Sequence, residues 1–67
     1  MKLSNLLARI ELVRNADHDP HGPRMAVIGY LGAMLEMDHI SVTEYLLAGK
    51  LADNAYSCRT EELRNAN

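Results

Sequence analysis

The sequence predicts an all-α domain of three helices, at about residues 4–16, 23–37 and 42–58 or longer. Three observations carry this. Apolar residues recur at helical spacing in each segment, the breakers Asp19-Pro20 and Gly22-Pro23 separate the first from the second, and Ser41-Val42-Thr43-Glu44 spells a helix start. At 67 residues the chain has room for one domain, residues 1–67, with a central antiparallel helical hairpin formed by the second and third segments.

In the first segment Ser4 is a candidate N-cap. Leu3, Leu6, Leu7, Ile10 and Val13 mark one face, with Leu12 beside it. Residues 1–16 carry Lys2, Arg9 and Arg14 against Glu11, a balance of +2, while the second helix is neutral and the loop before it and the segment after it are net negative. The outer face of this helix is therefore the basic surface of the chain. Its ordinary role is a solvated face; its sharper role is to steer an acidic partner onto Arg9 and Arg14.

Asp17 to Pro23 reads as a loop, because each proline pushes the residue before it toward extended backbone. Asp17, His18, Asp19 and His21 hold imidazoles and carboxylates suited to zinc or nickel. A loop H-x-x-H with no cysteine pair lacks fixed geometry, however, so no metal and no cofactor is assigned, and Asp19 is expected to shape the turn.

The second helix is expected to start at Pro23, where a missing N–H costs nothing. Ala26, Gly29 and Ala33 repeat at i, i+3, i+7, and Ala48, Ala52 and Ala55 at i, i+4, i+7 on the third helix. Facing stripes of small residues would let the two backbones approach closely. That approach would also account for Gly29, Gly32 and Gly49, each of which costs about 1 kcal/mol in a helix interior relative to alanine. The competing expectation for Gly49 is that it ends the helix.

The third helix has the clearest start. Ser41 and Glu44 can exchange hydrogen bonds as a capping box, and Ile40 and Tyr45 have the spacing of a hydrophobic staple. One apolar stripe runs Val42, Tyr45, Leu46, Gly49, Ala52, Tyr56, and a second runs Leu47, Leu51, Ala55, Cys58. Together they are wider than one partner helix needs. The helix either continues to Asn65 or breaks near Ser57 with Thr60 capping a last turn; Asn65-Ala66-Asn67 should fray. On the stripe, Cys58 reads as an inert small hydrophobe.

Composition narrows the functions. Hydrophobic residues make up 48% of a chain whose single cysteine excludes an internal disulfide. Chains this short usually gain stability from staples or association, so the apolar surplus predicts a helical homodimer with an isologous contact. A net charge of −2 argues against a binder that relies on phosphate neutralisation. The lone cysteine and the lack of an apolar run behind Lys2 suit a cytoplasmic protein. The uncharged run Met25–Leu35 is too short to span a bilayer.

No nucleophile and orienting acid can be matched to His39, so the expected function is non-enzymatic. The chain is read as a homodimeric module that regulates or inhibits a partner protein, in the manner of small accessory proteins of bacteria and their mobile elements. Tyr30, Tyr45 and Tyr56 are its candidate anchors, since tyrosine is enriched at binding hot spots. The alternative is a helix-turn-helix-like DNA-binding transcriptional regulator. Its reading helix would present Thr43, Glu44, Leu47 and Lys50, a poor set for bases or phosphates.

Overall fold

The computed structural model describes residues 3–66; Lys2 of the basic face and Asn67 of the frayed end lie outside them. The described residues form three α-helices and no strand: α1 Leu3–Arg14, α2 His21–Glu36 and α3 Val42–Asn65. Each helix packs on both others, and the molecule measures 42 × 16 × 16 Å. The longest helix sets that length, since 24 residues rise about 36 Å.

α1 ends two residues earlier than the periodicity predicts. The Ala16 N–H turns to the Val13 carbonyl in a tightened last turn, and the Ala16 carbonyl accepts from Arg59 Nε of α3 at 2.6 Å. A side chain from another helix thus satisfies an end that helix geometry leaves open. Ser4 falls inside α1, which already includes Leu3, so Ser4 is not its cap.

α2 starts two residues before Pro23. Pro20 is the N-cap residue, its carbonyl accepting from Arg24 N–H at 3.0 Å, and Asp19 Oδ1 accepts from His21 N–H at 3.0 Å. Pro23 is thereby the third helical residue, still within the turn where no N–H is needed.

α2 ends at Glu36 in a Schellman arrangement without glycine. Asp38 takes a left-handed φ of 58°, His39 N–H donates to the Met34 carbonyl at 2.9 Å, and Asp38 N–H donates to the Leu35 carbonyl at 3.1 Å. Aspartate tolerates this backbone better than most residues, which is why the sequence carries no glycine flag there.

α3 starts as its capping box dictates. Ser41 Oγ accepts from Glu44 N–H at 3.1 Å and Glu44 Oε1 accepts from Ser41 N–H at 2.8 Å. Ile40 is buried and Tyr45 half-buried against the same core. The helix runs unbroken through Gly49 and Ser57 to Asn65, so neither ends it.

The core consists of Leu6, Val13, Val27, Leu31, Ile40, Ala48, Ala52 and Ala55. Val13, Val27 and Leu31 are sealed from solvent. Burying such a side chain stabilises by about 1.5–3 kcal/mol, so these three anchor the bundle. Only one of the two small-residue stripes is inside. Ala48, Ala52 and Ala55 turn to the core, whereas Ala26, Gly29 and Ala33 face out. Close packing of α2 on α3 does not explain the glycines, because a Cβ added at Gly29, Gly32 or Gly49 would meet nothing within 4 Å.

Candidate protein-binding face

Alanines on the inner line of α3 leave its larger apolar residues on the flanks. Val42, Leu46, Leu47 and Leu51 are 62%, 63%, 61% and 52% exposed. Of the two apolar stripes, Val42, Leu46, Leu47, Leu51 and Cys58 are exposed, Tyr45, Gly49 and Tyr56 are half-buried, and Ala52 and Ala55 lie in the core. Val42, Leu46, Leu47 and Leu51 give α3 its exposed apolar face and bury little in their own chain.

Beside this face lies an open groove of about 500 Å³ between α2 and α3. Ile28, Leu31, Tyr45 and Leu46 supply its apolar wall, and Gly49 leaves a notch where a side chain would stand. Its charged edge is built by Arg24, Lys50 and Asp53. Arg24 Nε and Nη2 both lie 3.0 Å from Asp53 Oδ1.

The expected binding residues scatter into different roles. Tyr45 is half-buried and lines the groove. Tyr30 and Tyr56 are each covered by a guanidinium: Arg9 sits 4.3 Å from the Tyr30 ring centre and Arg24 4.9 Å from that of Tyr56. Such stacks stabilise by about 0.5–1 kcal/mol at exposed sites, and here they tie α1 to α2 and α2 to α3.

Arg14 is held within the chain. Its two terminal nitrogens meet the two Glu62 oxygens at 2.6 and 2.9 Å, and Arg59 adds a third contact to Glu62 at 3.3 Å. The hydrogen bonds from Arg14 and then Arg59 hold the Glu62 carboxyl below the usual glutamate range, and the bond to Glu62 raises Arg14. Glu44 is also lowered, by the bonds it makes within the Ser41 cap.

The histidine loop forms one wall of a second cleft, of about 430 Å³, facing Thr60, Leu63 and Arg64 at the end of α3. Among the described residues no three His, Cys, Asp or Glu side chains gather to hold a metal ion. His39 and Cys58 are both exposed, so Cys58 is not the buried hydrophobe its stripe suggested. No described helix is long and apolar enough to cross a membrane.

The flanking leucines belong to the apolar surface that the sequence marks as wider than one partner helix needs. A line of alanines with leucines on both sides was the available signal: alanine inside permits close packing, and it pushes the bulkier neighbours outward. Comparison with protein-family models, with curated proteins and with solved structures returns no match.

Proposed function

We propose that the protein is a non-enzymatic helical interaction module, a cytoplasmic homodimer that regulates or inhibits a partner protein. The exposed apolar face of α3, from Val42 to Leu51, carries this reading. Leaving four large aliphatic side chains in water forgoes several kcal/mol of burial, which a second protein surface can recover. In this reading α2 and α3 form an antiparallel hairpin through the 37–41 link, and two such hairpins pair. Arg9, exposed on α1, steers an acidic partner, and Tyr45 contacts a bound protein. Tyr30, Tyr56 and Arg14 act mainly by holding the helices in place.

Sedimentation of the full chain at micromolar concentration tests the dimer. The expected mass is twice the 7.5 kDa of one chain, and a strict monomer contradicts the reading. Capture of partners by the tagged protein, with nuclease and chelator in parallel, tests the regulator. A stoichiometric protein that survives both treatments is expected. A partner lost with nuclease favours the DNA-binding alternative instead.

A further inference from the structure

We infer that the α2–α3 groove receives an acidic amphipathic helix of the partner protein, its apolar side chains against Ile28, Tyr45 and Leu46 and a carboxylate against Lys50. This rests on the interaction-module reading and names the chemistry of the partner. The groove is graded along α3. Tyr45 and Leu46 line it first, Lys50 follows one turn later, and Asp53 stands beyond Lys50 with Arg24 across from it. One end is therefore apolar and the other charged.

Charge at that end has one sign left over. Arg24 donates to Asp53 from Nε at 3.0 Å and stacks on Tyr56, so Arg24 and Asp53 neutralise each other within the chain. Lys50 is exposed and has no ion pair among the described residues. Between Val42 and Ala52 the other charge is Glu44, whose carboxylate accepts from the Ser41 N–H in the cap. The exposed first half of α3 thus offers leucines and one uncompensated cation. A carboxylate set against Lys50 is attracted and an ammonium is repelled, so the groove discriminates by charge.

Shape selects a helix. Arg24, Ile28 and Leu31 line the groove from α2 at i, i+4 and i+7, a rise of about 10 Å. Two turns of an incoming helix match that length with apolar side chains at the same spacing, which is how amphipathic helices fill apolar grooves. No strand edge exists among the described residues for an extended peptide to join. A bilayer surface or a nucleic acid needs a cluster of cations, and here a single lysine stands on a chain of net charge −2.

Selection from a displayed library of random peptides of about 15 residues, long enough to form a helix, tests the groove on the full chain. The baits are wild type, Lys50→Glu and Leu46→Glu, with Leu12→Glu as the control, since Leu12 is 64% exposed on α1 and does not line the groove. All three substituted residues are exposed, so each variant should fold, and circular dichroism checks this. Wild type and Leu12→Glu should enrich sequences with apolar residues at i, i+4 and i+7 and Asp or Glu beside them. Lys50→Glu should enrich Lys or Arg in that place. The best acidic peptide should lose at least about tenfold in affinity on Lys50→Glu and on Leu46→Glu, read by fluorescence anisotropy.

No enrichment by the wild type, or enriched sequences whose charge does not respond to Lys50→Glu, overturns this site. So does a homodimer that Leu46→Glu separates in sedimentation, which gives the groove to a second copy. Binding to vesicles of anionic lipid that Lys50→Glu abolishes overturns it in favour of a membrane surface. A partner captured from a lysate equally by wild type and Lys50→Glu removes the groove and leaves the interaction reading standing. A chain that captures no protein and enriches no peptide overturns both.

Discussion

Where α1 and α3 finish, the contacts between helices are charged; where α2 passes into α3, the surface is apolar and open on one side. At the first end Arg14 and Arg59 converge on Glu62, and Arg59 also closes the last turn of α1 through the Ala16 carbonyl. At the second, no ion pair among the described residues involves any of residues 36–50, and Val42, Leu46 and Leu47 are exposed. The difference separates two tasks. Charged contacts to named partners tie helix ends together, while the other end leaves apolar side chains uncovered by the rest of the chain. Exposed ion pairs stabilise little on their own, so the clamped end contributes order more than strength.

Four substitutions and a pH titration can break or sharpen this contrast. The largest effect belongs to the core that both ends share. Leu31→Ala removes a side chain sealed between α2 and α3 and should cost about 2–5 kcal/mol. That is enough to bring a domain of this size near unfolding at room temperature, as thermal and urea melts will register. Little or no change would mean that the bundle does not rely on this packing.

At the open end, Ser41→Ala removes the acceptor of the capping box and should lower stability by about 1 kcal/mol in a urea melt. Gly49→Ala works in the other direction. It should raise stability by up to about 1 kcal/mol in the same melt, because a Cβ there meets no neighbouring side chain within 4 Å. A loss there would show that the groove is closed in solution. The smallest of these gains belongs to Asp38→Gly, expected at a few tenths of a kcal/mol, since glycine adopts the left-handed φ without steric cost but loses more chain entropy.

At the clamped end the expected signature is a pH dependence. The folded Glu62 carboxyl is held below its unfolded value by Arg14 and Arg59. Its contribution is therefore present in full above the unfolded glutamate pKa of about 4.3. It is lost as pH falls through the lower folded value. Melts from neutral to acid pH should show wild type losing more stability than Glu62→Gln over that window. Parallel curves would remove Glu62 from the account. Glu44 adds a loss of the same sign through the Ser41 cap.

The elements were legible because their signals are local. A capping box declares itself in four residues, and prolines bound a loop wherever the chain goes next. Which face of a helix turns inward is not local. The Val42 and Leu47 stripes and the alanine line all have helical periodicity, and only the positions of α1 and α2 decide that Ala48, Ala52 and Ala55 go inside. The fates of Arg14, Tyr30 and Tyr56 were hidden for the same reason. Their partners Glu62, Arg9 and Arg24 lie 48, 21 and 32 residues away in the chain, and nothing in the spacing announces them. The left-handed turn at Asp38 was missed because the usual glycine is absent.

The measurement that bears most directly on the central claim is sedimentation equilibrium of the full wild-type chain across the micromolar range. The account predicts a mass of twice 7.5 kDa that falls toward a single chain on dilution. A mass of one chain at every concentration would contradict it, and would leave the leucines of α3 as solvent-facing residues of a self-sufficient monomer.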